Sequence, residues 1–321
     1  MNTVAGIDLG GTKIEAAVFD RRYEVLASAR HPTPLEGGPA AVAQAMVAAV
    51  RQACDDAKLD PAALAAVGVG SPGVVDTATG VVSEARNIPG WEGSFDLAAA
   101  IGHELGIPVT IGNDVSVATA AEFELGAGRD YQSLLGVFWG TGVGGGVILG
   151  GRAWHGRGAA GEIGHTVVKL GGRHCPCGRR GCLEAYAGRG AMEARARKLQ
   201  ADGRHTDLFK IMERHGRARL TSAIWARALE QEDDLATELI DEAVEALGAG
   251  IASAVNLLDV EAVIIGGGLG VRFGEPMVRR IETAMAPHIF NDSRPPEVQV
   301  AGLGDLGGAI GAALLARNAA K

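Results

Sequence analysis

Residues 4–20 read VAGIDLGGTKIEAAVFD, two apolar runs (4–9 and 15–19) joined by Gly10-Gly11-Thr12-Lys13. Each run has the length of a strand. The turn between them is glycine-rich, so the backbone can bend tightly and leave N–H groups facing outward. The same pattern returns once: 133–139 (SLLGVFW) and 146–149 (GVIL) flank Gly140-Thr141-Gly142-Val143-Gly144-Gly145. Behind the first copy come a helical Ala-rich stretch at 39–57, an apolar run at 64–70, a helix from Phe95 to Leu105, a strand from Pro108 to Ile111 and a helix running from Asp114 to about Leu125. Behind the second come a loop-rich stretch at 150–182, helical composition over 183–258, and a buried strand at 261–265 ending in Gly266-Gly267-Gly268. A helix near 273–286, a strand near 297–300 and a last helix near 306–318 follow. The pattern predicts two α/β lobes with a cleft between them.

Composition narrows the function. The chain has 321 residues, 47% of them apolar and 21% charged, enough to bury sizeable cores. A net charge of −8 argues against nucleic acid as a partner, because phosphate backbones are held by clustered Lys and Arg. The opening MNTVAGIDLGG has neither the basic nor the apolar region of a signal peptide, and no apolar run reaches membrane-spanning length, so the expectation is a cytoplasmic protein without membrane contact.

Cysteine is sparse, and Cys175, Cys177 and Cys182 fall within eight positions. The loop His174-Cys175-Pro176-Cys177-Gly178-Arg179-Arg180-Gly181-Cys182 can fold round an ion, and with one histidine these thiolates make a tetrahedral set suited to Zn²⁺. No position is left open for a reacting water, which makes the site structural. Free thiols or a redox switch are the competing readings, and spacing leaves the histidine open between His165 and His174. Cys54, in the Ala-rich helix, reads as a packing residue.

Several familiar nucleotide motifs fail. Gly68 to Gly73 spells G-x-G-x-x-G, but the residues after it, Val74 to Gly80, do not read as the helix that a dinucleotide site requires. Gly140 to Val147 has the form of a protein-kinase glycine loop, yet no H-R-D or D-F-G occurs. The first turn is not a Walker A loop, because Thr12 stands where Lys is required. A third reading remains. IDLGGTKIEAAVFD, GTGVGGG and IIGGGL occur in the order of the two phosphate loops and the adenosine loop of the actin and hexokinase superfamily, which they resemble. The string Gly161-Glu162-Ile163-Gly164-His165, followed by C-x-C-G-x-x-G-C-x-E, resembles the ROK family of repressors and sugar kinases.

The resemblance covers nearly the whole chain and implies a two-lobed actin-like (ribonuclease H-like) ATPase fold, with one lobe from 1–118 plus 306–321 and a larger zinc-binding lobe from 119–305. It implies an ATP-dependent hexose kinase of carbohydrate metabolism, glucose being the preferred substrate. Kinases of N-acetylmannosamine, N-acetylglucosamine or fructose are the alternatives within the class, and a sugar-responsive regulator without kinase activity the alternative outside it. Asp8 would organise Mg²⁺ through water. Gly10, Gly11, Thr12, Lys13, Thr141 and Gly142 would hold the ATP phosphates, with Gly266, Gly267 and Gly268 at the adenosine. His165 would be the fourth zinc ligand.

A kinase needs a carboxylate near the attacking hydroxyl. Asp114 follows a strand and opens a helix, where it could equally be a helix cap. The resemblance favours Asp114 as the base, and it assigns Asn87, Asn113, Glu162, His165 and Glu184 to sugar hydroxyls. His165 would then serve both metal and sugar. Family members form dimers or tetramers. Two departures from the usual family pattern are Val115 after the base and Trp139 before the second loop, the latter close enough to influence nucleotide fit.

Overall fold

The computed structural model describes residues 3–85 and 87–319. They form two compact units: Met1–Arg129 with His155–Gly158 and Gly302–Lys321, and Asp130–Trp154 with Ala159–Ala301.

In the first unit β1 (Val4–Leu9) and β2 (Lys13–Phe19) pair antiparallel across the glycine turn, and β3 (Val25–Pro32) extends the hairpin. Helix α1 (Gly38–Asp56) covers one face and buries Val42, Met46, Val50, Ala53 and Cys54 at helical spacing. Cys54 is fully buried, and that burial pushes its thiol up to about 11. Strand β4 (Ala66–Ser71) lies parallel to β1. A small antiparallel sheet of β5 (Val74–Asp76), β6 (Val81–Ser83) and β7 (Ser94–Asp96) precedes α2 (Leu97–Leu105), β8 (Val109–Asn113) and α3 (Asp114–Leu125). The main sheet has the order β3-β2-β1-β4-β8, and its other face carries the C-terminal helix Gly307–Ala319.

That helix lies so close to β4 that a methyl group on Gly68 would overlap the carbonyl oxygen of Ala312. Both partners are backbone, so neither can yield by changing rotamer. Gly68→Ala should destabilise the fold by about 3 kcal/mol or more, read as a Tm lower by roughly 6–12 °C in thermal unfolding.

In the second unit β9 (Leu134–Trp139), β10 (Val143–Leu149) and β11 (Arg152–Ala153) form the corresponding antiparallel run. Short α4 (Glu184–Ala187) leads into α5 (Arg189–Ala201), α6 (Leu208–Arg214), α7 (Ser222–Glu230) and α8 (Asp234–Leu258). Strand β12 (Ala262–Gly266), α9 (Gly267–Met285) and β13 (Glu297–Val300) complete the unit. The sheet order is β11-β10-β9-β12-β13, with β9, β12 and β13 parallel. The two units thus share one order and one pattern of strand directions, the actin-like arrangement that the resemblance implies.

Several elements differ from the sequence reading. Strands β2 and β10 start at Lys13 and Val143, because pairing reaches back to the turn residues. Strand β3 was not anticipated; most of its residues are partly or fully exposed, so it lacks an apolar run. The helix expected from Phe95 begins at Leu97, where Asp96 accepts a hydrogen bond from the N–H of Ala99, and residues 94–96 are strand. The helix expected near 273 begins at Gly267 and is interrupted at Gly274, whose φ is 63°. No helix among the described residues is long and apolar enough to cross a membrane.

Candidate functional site

Parallel strands align their C-terminal ends. In the first unit this brings Asp8 of β1, Ser71 of β4 and Asn113 of β8 to one edge of the sheet, where ligands of open α/β sheets bind. The first turn is tied down by Gly10 N–H to Lys13 O (2.9 Å) and by the Thr33 hydroxyl to Gly10 O (2.7 Å). Thr12 is exposed at its tip. A side chain on Gly11 would lie 2.6 Å from the carbonyl oxygen of Asn87, so the turn and the Asn87 loop are in contact. The Lys13 ammonium sits 3.0 Å from Glu15, a buried carboxylate that also holds Arg30 at 2.6 Å. Asp8 is packed under Gly308. Burial raises its carboxyl above the ordinary range, with Lys13 opposing and Glu15 adding to the rise, so a cation beside it would be strongly favoured.

At the start of α3 two neighbouring residues divide the work. Asn113 Oδ1 accepts the N–H of Ser116 at 3.1 Å and is the helix cap. Asp114 is the first helical residue, half-buried, with Oδ1 accepting its neighbour's N–H (Val115) at 2.9 Å. Near the other end of α3, buried Glu122 accepts the N–H groups of Ala127, Gly302 and Leu303 at 2.9–3.0 Å and so joins the helix to the chain's last segment. Nothing in the local sequence marks Glu122 for this.

In the second unit the β9–β10 turn closes with Gly140 N–H to Gly142 O at 2.9 Å. The parallel pairing of β9 with β12 carries Gly266, Gly267 and Gly268 to the same edge. Gly267 has a φ of 78° and lies against the Trp139 backbone, where a side chain would come within 2.6 Å of its carbonyl oxygen. Trp139 is wholly buried and donates its indole N–H to Ala187 O at 2.6 Å, so its bulk packs the core beneath the turn. Arg189, not anticipated from the sequence, donates from Nη2 to the Thr141 hydroxyl at 2.7 Å. Its only local signal is its place between Gly188 and Gly190.

The cysteines and His165 come together. One ligand atom from each of His165, Cys175, Cys177 and Cys182 lies within 4.8 Å of all the others. Cys177 Sγ and Cys182 Sγ are 3.7 Å apart, and Cys175 Sγ is 3.8 Å from His165 Nδ1. A tetrahedral Zn²⁺ with bonds of about 2.3 Å to sulfur and 2.0–2.1 Å to nitrogen requires ligand separations of about 3.6–3.8 Å. These two separations match such an ion, and the whole set, within 4.8 Å, needs to close by no more than about 1 Å to hold it. His174 points elsewhere, its Nε2 lying 2.6 Å from Arg180 Nη2. Burial, reinforced by the Cys177 and Cys182 thiols, pushes Cys175 up to about 12. At Cys177 burial acts upward too, but the Arg179 N–H and the other two thiols outweigh it and bring that thiol down to about 7. One thiol is thus poised to ionise and a neighbour is held protonated, a pattern that a divalent cation resolves by displacing the protons.

His165 presents its other face outward, with Nε2 at 3.9 Å from Glu162 Oε2. Glu184 bridges two features: Oε2 accepts the N–H of Val143 at 2.9 Å beside the second turn, and Oε1 is 3.9 Å from Cys175 Sγ. The anticipated residues thus form two sets: Asp8, the 10–13 turn, Asn87, Asn113 and Asp114 in one unit; Thr141, Gly142, Glu162, His165, Glu184, the cysteines and the 266–268 turn in the other.

The chain is similar to known proteins along nearly its whole length. The ROK family matches residues 4–319. A glucokinase of Halalkalibacterium halodurans is 32% identical over 318 residues, covering 98% of this chain and 94% of the relative. An N-acetylgalactosamine kinase of a Shewanella species is 31% identical over 321 residues, covering 97% and 95%. Among solved structures, a ROK family glucokinase from Streptomyces griseus in complex with glucose and AMPPNP superposes with a TM-score of 0.84 at 31% identity, covering 99% of this chain and 100% of that one. The match spans both glycine turns, the Asn113-Asp114 pair and the His165–cysteine cluster, and the chain belongs to the ROK family.

Proposed function

We propose that the protein transfers the γ-phosphoryl group of ATP to a hydroxyl of a neutral hexose, with glucose as the preferred substrate. The enzyme is an ATP-dependent hexose kinase. The observation that carries the mechanism is the division of labour at α3: Asn113 supplies the cap, so Asp114 is not needed for it.

In this reading Asp114 accepts the proton of the attacking hydroxyl. Asn87, Asn113, Glu162, His165 and Glu184 hold the remaining hydroxyls, and carboxylates and amides of this kind suit a polyol without charge. Thr12 and Thr141, with the amides of Gly10, Gly11 and Gly142, cradle the phosphates; Lys13 adds charge from beside Glu15, and Gly266, Gly267 and Gly268 border the adenosine. Mg²⁺ bound with ATP neutralises phosphate charge and would be organised by Asp8 through water. His165, Cys175, Cys177 and Cys182 would hold Zn²⁺, which would fix the orientation of the His165 ring and leave its Nε2 for the sugar. The reading places the enzyme in the cytoplasm, as a homodimer or homotetramer, which light scattering distinguishes.

Glucose is favoured because glucokinases at 30–32% identity span nearly the whole chain. An N-acetylhexosamine is the second reading, supported by the N-acetylgalactosamine and N-acetyl-D-glucosamine kinases at 30–31% identity. The deciding measurement is kcat/KM with ATP across glucose, fructose, N-acetylglucosamine, N-acetylmannosamine and N-acetylgalactosamine. Glucose should lead the acetylated sugars by about a hundredfold, since a pocket shaped for a hydroxyl must be disrupted to admit an acetamido group. An N-acetylated sugar leading by that margin would replace glucose as the substrate. A chain acting only as a sugar-responsive regulator would bind sugar and leave ATP unspent.

A further inference from the structure

We propose that Arg189 is the nucleotide-phosphate sensor of the second glycine turn, holding the Thr141 hydroxyl as a hydrogen-bond donor and offering its own free N–H groups to phosphate oxygens. The proposal rests on the ATP-dependent reading above.

Three observations carry it. The first is attachment. Helix α5 begins at Arg189, whose N–H donates to Gly140 O at 3.1 Å, and the next N–H, of Gly190, donates to Thr141 O at 3.0 Å. The side chain adds Nη2 to Thr141 Oγ1 at 2.7 Å and Nη1 to Leu220 O at 2.9 Å. The guanidinium is therefore clamped from two sides beside the turn, while Thr141 remains exposed.

The second is hydroxyl bookkeeping. A threonine hydroxyl has one proton to give and two lone pairs to receive with. A guanidinium has protons only, so towards Arg189 the Thr141 oxygen acts as an acceptor. Its own proton is then directed away from Arg189, and what it can meet is an acceptor such as a phosphate oxygen. A free threonine rotates between donor and acceptor states; this one is set to donate before any ligand arrives.

The third is charge. Arg189 forms no ion pair with a carboxylate among the described residues. The acidic side chain whose field reaches it, Glu193, is already engaged by Arg197 at 2.8 Å, by Arg219 at 3.7 Å and by the N–H of Leu220 at 3.1 Å. Burial, then the nearby Arg219 charge, hold the Arg189 guanidinium below its ordinary pKa, with Glu193 opposing. The positive charge is thus carried at a cost, and an anion at the turn relieves it. Two of the five N–H groups of a guanidinium are occupied by Thr141 and Leu220, which leaves donors for a polyphosphate chain.

The test uses the full-length protein with Arg189→Met, Arg189→Lys and Thr141→Val. Binding of ATP, ADP and adenosine is measured by calorimetry, alongside KM for ATP and for sugar. In R189M the affinity for ATP should fall roughly ten- to a hundredfold, the range of one or two charge-assisted hydrogen bonds. Adenosine affinity and the sugar KM should stay within twofold, and millimolar guanidinium chloride should restore part of the loss. R189K, which keeps the charge but not the fork, should fall between. T141V should weaken ATP binding too, and the R189M/T141V pair should lose less than the sum of the two.

Unchanged ATP affinity in R189M overturns the proposal. So does an equal loss of ATP, adenosine and sugar binding that guanidinium does not restore, because that pattern marks a purely structural arginine. If R189M does not fold, R189K and T141V decide: ATP affinity unchanged in both overturns the proposal, and a selective loss of phosphate-dependent affinity upholds it. A wild-type protein that binds ATP but phosphorylates no sugar would refute the kinase reading alone and leave the Arg189 comparison intact.

Discussion

Asp114→Asn should lower kcat by about a thousandfold, within the range of roughly 10²–10⁴ that a positioned general base supplies. The substitution keeps size and leaves the cap untouched, because the cap is the Asn113 oxygen on the Ser116 N–H. Sugar and ATP KM should therefore stay within about threefold, a pattern that marks an interaction made only in the transition state. Losing the negative charge in the first turn of α3 should cost no more than about 1 kcal/mol of stability. Asn113→Ala should behave in the opposite sense, losing about 1 kcal/mol of stability with the cap and weakening sugar binding, while the base remains. Steady-state kinetics with thermal unfolding of both variants separates the roles. D114N turning over at the wild-type rate would remove Asp114 from the mechanism.

Removing the metal should do more damage to the fold than any single surface change. Chelation leaves four converging ligand groups without an ion, and Cys182→Ala leaves three, in a site where Cys175 is buried. A loss of several kcal/mol is expected, seen as a fall in Tm of about 10 °C or more. The protein as purified should carry one Zn²⁺ per chain by elemental analysis. Sugar affinity should fall at least about tenfold with the metal, because His165 Nδ1 faces the cysteines while Nε2 faces Glu162, so freeing one nitrogen frees the ring. The Kd for ATP should change much less. Metal-free protein that binds sugar with unchanged affinity would separate His165 from the sugar, and protein free of metal as purified would refute the zinc site.

Much of the architecture was readable because its signals are local. A β-hairpin with a glycine turn is written in consecutive residues, and both copies are visible in the sequence without knowledge of strand pairing. The failures were also physical. Strand β3 carries no apolar run for periodicity to detect, since most of its residues are only partly buried or exposed. The helical segment of α9 before the Gly274 break has no clear signal in the sequence, because Gly266-Gly267-Gly268 has poor helix propensity.

The sequence by itself determined the two strand–glycine–strand units, the cysteine spacing and the presence of a carboxylate at a strand-to-helix junction. Each is a pattern of near neighbours, and chain connectivity alone keeps near neighbours together. Tertiary structure decided which histidine joins the cysteines, that Asn113 is the cap, that Asn87 lies against the Gly11 turn, and that Arg189 reaches Thr141 across 48 positions. Apart from the cap, which turned on which of two adjacent residues lends its side chain to the helix start, these are pairings between distant residues. They exist only after parallel strands align their ends and helices pack on the sheets. Backbone pairing and side-chain burial set those approaches to within an ångström, and that precision is invisible in the order of the residues.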